Sequence, residues 1–340
     1  MAQSLPDPRA QKLHFAVVGA GVAGLTCARE LAAYGSRVTV FERAPVPGGR
    51  LASQQSDAGV FDVGAQFFTV QTEAFAKAVH RWVGADLVRT WEASLAELIN
   101  GQITRAAPPA PRFVGVPSMQ SIANYLARDL DIVFDAEVGR ISRGSSEWYL
   151  FDPRDRQLGI VGFDALVLAI PSLDALRLVR SETNFAERLE TVRWDACWTA
   201  TLALSRPSGI DFDAAVISDD PILGWAARDN SKPMRQLGEG TAERWLLQAR
   251  PTWSKNFIEM NVDEAARWMQ RAFAARLARP LAQKSCSALR WRVSTPIEAL
   301  AETYLWDPDR AIGLAGDWCG GSRVESAYLS GLRLAQAIAE

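Results

Sequence analysis

The sequence predicts an α/β fold with two domains, one built on a parallel sheet flanked by helices and one α+β domain built on a mixed or antiparallel sheet. At residues 15–18, four consecutive apolar side chains are typical of a strand buried on both faces, and a glycine-rich turn and a helical segment follow. Between 172 and 307 this alternation gives way to short strands and amphipathic helices. With 340 residues, 48% of them hydrophobic, the chain can bury two cores.

The glycine turn has the spacing of a dinucleotide-binding site. Glycines at 19, 21 and 24 permit a tight bend, a close approach to a pyrophosphate and packing of the helix on the sheet, while the helix N-terminus attracts phosphate. Glu42 ends a second strand, 37–41, where its carboxylate can accept both hydroxyls of a ribose. A turn without a ligand is the alternative. The flanking strand, helix and acid favour a site comprising Gly19, Gly21, Val22, Ala23, Gly24 and Glu42.

Two further glycine segments separate this chain from a domain that binds NAD alone. Residues 47–53 form a glycine-rich loop with an arginine, and residues 61–68 form another glycine turn that ends in aromatics. Where glycines recur, the backbone has no side chain in the way and can pass close to a large flat group. An ordinary loop at 48–50 is the alternative. The pair of segments favours further ligand contacts, namely Gly49, Arg50, Gly64, Ala65, Gln66 and Phe67.

Composition argues against several other classes of function. A net charge of −2 gives no nucleic-acid footprint and no polybasic membrane anchor. No apolar run approaches the roughly 18 residues that span a bilayer, and the first dozen residues lack the apolar core of a signal peptide. The four cysteines are scattered, which predicts reduced thiols in a cytoplasmic protein and no zinc site. Only two histidines are present, so hydrolase and metalloenzyme chemistry are disfavoured.

The order of elements predicts that the first domain is discontinuous. After the substrate-side segment, a buried strand at 311–316 ends in Asp317, and a helix at 326–339 returns the chain to the nucleotide sheet. We therefore assign residues 1–75, 131–171 and 308–340 to the nucleotide-binding domain, and residues 76–130 and 172–307 to a substrate domain.

The motifs together resemble those of FAD-binding flavoproteins of the glutathione-reductase type, in the branch of amine oxidases and protoporphyrinogen oxidases. The features that carry the resemblance are the turn at 19–24, Glu42-Arg43, Gly48-Gly49-Arg50, Val138, the Leu-Ala-Ile-Pro run at 168–171 and Gly316-Asp317-Trp318. More narrowly, residues 57–69, 225–233, 316–319 and 323–325 resemble bacterial renalases. The resemblance runs along the chain from about residue 14 and is more specific for the cofactor than for the substrate.

The resemblance implies a Rossmann-type, glutathione-reductase-like domain that holds FAD noncovalently. It implies an oxidase that converts dihydronicotinamide dinucleotides reduced at the 2- or 6-position to NAD(P)+ by hydride transfer to the flavin, with oxygen reduced to hydrogen peroxide. Arg43 and Val138 are expected near the adenine, Arg50 near the pyrophosphate and Asp317 at the ribityl chain. Residues 64–67 are expected along the flavin ring. The remaining expected cofactor contacts are Ala169, Pro171, Gly316 and, at the start of the last helix, Val324, Glu325, Ser326 and Ala327.

On the substrate side, Gln66 and Asn230 are expected to bond the carboxamide, next to Phe67. Arg228 and Lys232 are expected to meet the phosphates, with Arg290, Arg292 and Arg323 as further candidates, and exposed solubilising charge is the alternative for each. Hydride transfer from a dihydropyridine needs positioning and no general base, which fits the scarcity of histidine.

Other functions stay open on the sequence alone. An amine or polyamine oxidase, or a porphyrinogen or carotenoid oxidoreductase, could use the same fold. A flavin-binding redox sensor without turnover is a further alternative. The expected partners are a small molecule and oxygen, with no nucleic acid and no membrane, and the oligomeric state is open, a monomer included.

Overall fold

The computed structural model describes residues 13–99, 102–106 and 110–340, so the predicted N-terminal tail lies outside the described residues. Twenty strands lie in the described part: β1 (His14–Val18), β2 (Arg37–Phe41), β3 (Ser53–Ser56), β4 (Gly59–Asp62), β5 (Val88–Thr90), β6 (Leu95–Ile99), β7 (Gln102–Ala106), β8 (Phe113–Gly115), β9 (Asp131–Val133), β10 (Arg140–Arg143), β11 (Trp148–Phe151), β12 (Gln157–Phe163), β13 (Ala165–Leu168), β14 (Arg193–Leu204), β15 (Ala214–Ile217), β16 (Leu223–Arg228), β17 (Glu243–Ala249), β18 (Gln283–Glu298), β19 (Leu305–Asp307) and β20 (Ile312–Leu314).

Eight α-helices accompany them in the same residues: α1 (Val22–Ala33), α2 (Glu73–Gly84), α3 (Gln120–Leu126), α4 (Ser172–Val179), α5 (Ala186–Thr191), α6 (Pro251–Asn256), α7 (Val262–Arg276) and α8 (Val324–Ala339). Short 3-10 helices cover Gly49–Leu51 and Asp229–Ser231. None of the helices in the described ranges is both long and apolar enough to cross a bilayer.

The first sheet has six strands in the order β19-β20-β13-β1-β2-β9. All its pairs are parallel except β19–β20 at one edge. Alternate residues of β1 enter different cores: Phe15 and Val17 pack under α1 and α8, whereas Ala16 and Val18 pack against the β10–β12 meander and α4. Burial on both faces explains the continuous apolar runs of these strands.

Helices α1 and α8 approach each other very closely beside this sheet. A Cβ at Gly331 of α8 would overlap the carbonyl oxygen of Ala23 in α1. The small residues at the start of both helices therefore bring the two N-terminal regions to the same side of the sheet, where the glycine turn lies.

The second sheet has seven strands in the order β18-β14-β17-β16-β15-β6-β7. Its pairs are antiparallel apart from β15–β6, so the prediction of a mixed or antiparallel second sheet is confirmed. Strands β16 and β18 were not expected. β18 lies at the edge of the sheet, is mostly half-exposed and contains Pro296, a residue that edge strands tolerate and that weakens the strand pattern.

The first sheet draws its strands from four separate stretches of sequence, as a discontinuous domain would. Strand β19 pairs with β20 in this sheet, although the predicted boundary at 308 assigns it to the substrate domain. Strands β6 and β7 join the second sheet, in line with the assignment of 76–130. The domain boundaries themselves stay a prediction.

Candidate active site

The glycine turn after β1 combines two crowded positions with one open position. Gly19 has φ +102°, and a Cβ there would stand 2.6 Å from the carbonyl oxygen of Ala169 at the end of β13. A Cβ at Gly24 would overlap the carbonyl oxygen of Gly19, whereas one at Gly21 would meet nothing within 4 Å. Packing therefore requires glycine at 19 and 24. Gly21 leaves open space beside the backbone at the start of α1, which begins with Val22 and Ala23, and a phosphate could approach there.

Glu42 lies at the edge of this turn and is buried. Its Oε2 accepts a hydrogen bond from the backbone N–H of Ala20 at 2.7 Å, and its Oε1 accepts one from that of Ala44 at 2.8 Å. Both bonds hold the carboxylate in a fixed orientation. Each oxygen keeps a second lone pair, which suits the predicted acceptance of ribose hydroxyls.

The second glycine segment lies directly against the first. The N–H of Gly48 donates to the carbonyl of Ala20 at 2.9 Å, and a Cβ at Gly49 would stand 3.7 Å from the Cα of Gly21. One segment follows β1 and the other follows β2, yet their glycines lie side by side. We call residues 19–24 and 48–50 the glycine cradle.

The third glycine segment, residues 64–67, continues from the cradle. A Cβ at Gly64 would overlap the carbonyl oxygen of Arg50, which also accepts a hydrogen bond from the N–H of Ala65 at 2.9 Å. Gln66 is buried, and its amide donates to the carbonyls of Asp62 and Gly64 at 2.5 and 3.0 Å. The amide therefore has partners within the protein, and its bond to a substrate carboxamide stays a prediction.

Arg50 and Asp317 bind each other, which differs from their predicted contacts with a pyrophosphate and a ribityl chain. Two guanidinium nitrogens of Arg50 donate to the two carboxylate oxygens of Asp317, both at 2.6 Å. Arg50 also donates to the carbonyl of Ser294 and lies 5.0 Å from the ring centroid of Trp194. The ion pair joins the cradle to the loop after β20, where Gly316 donates its N–H to the Ser330 hydroxyl.

The residues expected near the adenine lie at the rim of the first sheet. Arg43 is exposed and makes an ion pair of 3.7 Å with Asp174. Val138 is half-buried against the core beneath the meander, and Pro171 is the N-cap residue directly before α4. Their roles towards an adenine stay predictions.

The N-terminus of α8 is not capped by a side chain. Arg323 occupies the N-cap position without a side-chain hydrogen bond to the helix, and Val324, Ser326 and Ala327 of the first turn are half-buried. The first N–H groups of this 16-residue helix thus keep the partial positive charge of a helix start.

Glu325 in the same turn has structural partners within the protein. Its carboxylate accepts from the N–H groups of Gln71 and Thr72 at 3.0 and 2.7 Å and from the Thr72 hydroxyl at 2.6 Å. Thr72 in turn caps α2. The Glu325 carboxylate therefore ties α8 to the start of α2, and the predicted contact of this residue with the cofactor stays a prediction.

Five ionisable side chains form a buried charge cluster where β4 meets β17 and the 229–235 segment: Asp62, Asp229, Lys232, Arg235 and Arg244. The side chains of Asp62, Asp229, Lys232 and Arg244 are 0% exposed. Lys232 Nζ lies 3.1 Å from Asp62 Oδ2 and 2.8 Å from Asp229 Oδ1, and Arg235 lies 2.6 Å from Asp62. Every charge is within 4 Å of an opposite charge, as burial demands.

The cluster holds Asp62 as a carboxylate. Burial would raise its pKa, but Lys232, Arg235 and the backbone N–H of Met119 outweigh that effect and lower the pKa to about 2. The remaining oxygen of Asp62 accepts from Met119 and from the Ser53 hydroxyl at 2.9 and 2.8 Å. One carboxylate thus joins β3, the start of α3 and the 229–235 segment.

Lys232 is enclosed by side chains of its own protein. Its ammonium is fully buried and also donates to Gln66 at 3.2 Å. Asn230 is half-buried, and its Oδ1 accepts from the backbone N–H of Arg244 at 2.7 Å. Both residues order the segment after β16, and their predicted contacts with a substrate stay predictions.

Arg228 is also held by its own domain. Its guanidinium donates to the carbonyls of Ile210 and Phe212 and lies 5.1 Å from the ring centroid of Trp245. Its predicted contact with a substrate phosphate stays a prediction. The other candidate cations have partners too: Arg290 and Arg292 pair with Glu259, and Arg323 donates to Gln71.

Sequence reasoning missed a group of rings beside residues 64–67. The ring centroid of Phe67 lies 6.3 Å from that of Trp91 and 5.9 Å from that of Trp225, and we call these three residues the aromatic junction. The Arg112 guanidinium lies 4.6 Å from the Phe67 centroid. Trp225 begins the 225–233 motif, so that motif could have indicated it, but nothing in the sequence around Arg112 marks it.

The comparisons with known proteins agree with this geometry. A family model described as an NAD(P)-binding Rossmann-like domain matches residues 17–81. The chain carries such a domain. Local similarity links it to a 4,4'-diapophytoene desaturase of Staphylococcus haemolyticus (48% identity over 52 residues, 15% of this chain and 10% of the relative). It also links it to a phytoene dehydrogenase of Streptomyces griseus (39% over 92 residues, 26% and 18%). The matches thus span less than a fifth of these relatives' length.

Similarity to solved structures extends over nearly the whole chain. A protein named as a protoporphyrinogen oxidase from Exiguobacterium sp. 255-15 has a TM-score of 0.77 at 12% identity, covering 97% of this chain and 99% of that one. The cyclohexylamine oxidase of Brevibacterium oxydans IH-35A has a TM-score of 0.73 at 15% identity, covering 97% and 99%. These two proteins share the fold of this chain, and the matched Rossmann-like NAD(P)-binding domain contains the glycine cradle.

Metal-binding geometry is absent from the described ranges 13–99, 102–106 and 110–340, where no three His, Cys, Asp or Glu side chains gather in a suitable group.

Proposed function

We propose that the protein is an FAD-dependent oxidoreductase that holds its cofactor noncovalently along the glycine cradle and residues 64–67. The observation that supports this most is the continuity of the three glycine segments. Gly49 lies beside Gly21, and Gly64 lies beside the carbonyl of Arg50. An NAD-binding turn needs only the first segment, whereas an extended flavin dinucleotide can use all three.

In this proposal the chain supplies orientation and charge. The open position at Gly21 and the N-terminus of α1 receive the pyrophosphate, Glu42 accepts the ribose hydroxyls, and the uncapped N-terminus of α8 offers positive charge to an electron-rich edge of the ring. Bound FAD supplies the hydride-accepting chemistry. Cys319 is fully buried, and burial raises the pKa of its thiol, so it is unsuited to covalent attachment of a flavin.

For the substrate, we propose dihydronicotinamide dinucleotides reduced at the 2- or 6-position, with oxygen as the electron acceptor. The resemblance of residues 57–69 and 225–233 to renalases supports this choice. So does the absence, around the aromatic junction in the described chain, of a histidine that could act as a general base, because a dihydropyridine gives up hydride without prior loss of a proton.

Amine oxidation is a second candidate, because Phe67, Trp91 and Trp225 would also suit a neutral amine between aromatic faces. The structural similarity to a cyclohexylamine oxidase gives this alternative the same fold. Carotenoid or porphyrinogen oxidation and a redox-sensing role without turnover remain further alternatives.

Anaerobic reduction of the FAD-loaded protein tests these proposals. We expect NADH isomers generated by borohydride to bleach the yellow flavin absorption rapidly, and ordinary 4-dihydro-NADH and amines to act slowly. Bleaching by amines alone would exclude the dihydronicotinamide proposal. A lack of bleaching by every reductant would favour the sensor, and failure to retain FAD would overturn the cofactor assignment.

We also propose a cytoplasmic location, because all four cysteines are free thiols and lie in the described residues. Cell fractionation of the native host tests this, and recovery with secreted proteins would contradict it.

A further inference from the structure

The aromatic junction connects the two parts of the candidate site. Phe67 belongs to the segment that continues the cradle, and Trp225 belongs to β16 in the second sheet. Trp91 lies between β5 and β6, and its indole N–H donates to the hydroxyl of Ser231 at 3.1 Å. The indole N–H of Trp225 is buried without an acceptor among the described residues. A ring wall of this kind favours a planar ligand.

Arg112 covers one side of this wall and differs from the other arginines of the site. It is half-buried, immediately before β8, with its guanidinium 4.6 Å from the ring centroid of Phe67. Within the described chain its side chain makes no ion pair and donates no hydrogen bond. By contrast, Arg50, Arg228 and Arg235 are all bound to carboxylates or carbonyls.

An unpaired, partly desolvated guanidinium is an unusual arrangement. Burial lowers the pKa of Arg112, with no neighbouring carboxylate to offset that effect. Arginine nevertheless stays charged at neutral pH, and the Phe67 face stabilises only part of that charge. The planar donors of a guanidinium match the oxygens of a phosphate in a bidentate arrangement, which neither water nor the ring provides.

We propose that Arg112 binds the phosphate of a pyridine nucleotide whose ring lies against the aromatic junction. This inference rests on the proposed function and goes beyond it, because it assigns the phosphate to a residue whose charge has no ionic partner among the described residues, whereas Arg228 and Lys232 have partners there. Arg112 is then the specificity-determining residue that separates a phosphate-bearing substrate from an uncharged amine.

Ligand binding to the oxidised, FAD-loaded protein tests the inference without turnover. The probes are nicotinamide mononucleotide, which carries a phosphate, and nicotinamide riboside, which lacks it. Binding is measured from the change in flavin absorption and by calorimetry. For Arg112→Gln we expect about tenfold weaker binding of the mononucleotide and less than about twofold change for the riboside, the size of one charge-assisted contact. Arg112→Lys should recover part of the loss.

Arg89→Gln is the matched control. Arg89 lies on β5, which pairs with β8, and its side chain is 48% exposed in an ion pair with Asp86. It should bind both probes like the wild type. FAD content and melting temperature are measured for each variant. If Arg112→Gln loses FAD, Arg112→Lys is compared with the wild type instead. Binding of both probes is then measured at rising salt concentration. We expect salt to weaken the binding of the mononucleotide more than that of the riboside.

The outcomes separate this inference from the proposed function. Three outcomes would overturn the role of Arg112. Arg112→Gln could lose the same affinity for both probes, it could lose affinity for neither, or the wild type could fail to bind the mononucleotide. If the wild type oxidises dihydronicotinamide dinucleotides and Arg112→Gln leaves KM unchanged, the function stands and the inference fails. If no such oxidation occurs but mononucleotide binding depends on Arg112, the inference stands and the proposed substrate is wrong.

Discussion

The glycine cradle and the buried charge cluster are built in opposite ways. In the cradle, glycines leave part of the backbone open, as at Gly21, where a Cβ would meet nothing within 4 Å. In the cluster, five charged side chains fill the space, and each lies against an opposite charge. The comparison teaches that open space for a ligand arises where side chains are missing, whereas the cluster joins its segments through packed and ion-paired side chains.

The cluster also shows that Lys232, a cation named from the sequence, has partners inside the protein. Lys232 lies in a motif that looks exposed and basic, but its ammonium balances Asp62 and Asp229. Removing one member leaves a buried charge without its partner, which costs far more than the net gain from forming the pair. We expect the largest mutational effects there.

The largest effect is expected for Lys232→Met, which keeps the length of the side chain and removes its charge. The free energy of unfolding should fall by about 3–5 kcal/mol, measured by urea denaturation. Lys255→Met is the control, since the Lys255 ammonium pairs with Asp195 on the surface and should contribute less than about 1 kcal/mol. Equal losses in the two variants would show that the cluster does not depend on pairing.

The next largest effect is expected at two glycines of the cradle, where alanine should change stability and FAD binding differently. Gly24→Ala should lower the free energy of unfolding by about 1–3 kcal/mol and reduce FAD retention, because its Cβ overlaps the carbonyl oxygen of Gly19. Gly21→Ala should leave stability within about 0.5 kcal/mol but weaken FAD at least about tenfold, since its Cβ enters the open space. Thermal unfolding of the apoprotein and fluorescence titration with FAD measure both. Unchanged FAD affinity in Gly21→Ala would contradict the placement of the pyrophosphate.

A pH effect should follow from Asp62. Its pKa in the folded protein, about 2, lies below the ordinary aspartate value of about 3.9. Its contribution to stability is therefore complete above about pH 5 and is lost as the pH falls through 4 towards 2. Urea denaturation at pH 7, 5, 4 and 3 should show a drop that is smaller in Asp62→Asn, which is less stable at neutral pH. A drop of equal size in the variant would exclude this carboxylate as its cause.

The smallest effect is expected for Arg292→Gln. Arg292 pairs with Glu259 in the open, where its side chain is 55% exposed, so stability should change by less than about 1 kcal/mol. KM for a dihydronicotinamide dinucleotide should also stay unchanged, in contrast to Arg112→Gln. A several-fold rise in KM would return Arg292 to the substrate site.

Local signals in the sequence were sufficient for the first sheet and the glycine segments. The apolar runs of β1, β2 and β13 and the glycines at 19 and 24 obey rules of burial and backbone approach that act over a few residues. Strand β18 was missed because an edge strand with half-exposed residues and a proline has no clear period. The partners of Glu325 and Arg50 were missed because they lie 252 or more positions away along the chain: Gln71 and Thr72 for the first, Asp317 for the second.

The sequence by itself determined that a strand, an open turn and a helix meet around Gly21, and that two more glycine segments follow. Only the tertiary structure decided that these segments lie side by side, because the hydrogen bond from Gly48 to Ala20 crosses between them. It also decided which charges are free. The sequence around a charged residue does not show which residue will pair with it. Folding buries Lys232 against two carboxylates and places Arg112 over an aromatic ring, and nothing in the sequence distinguishes these two outcomes.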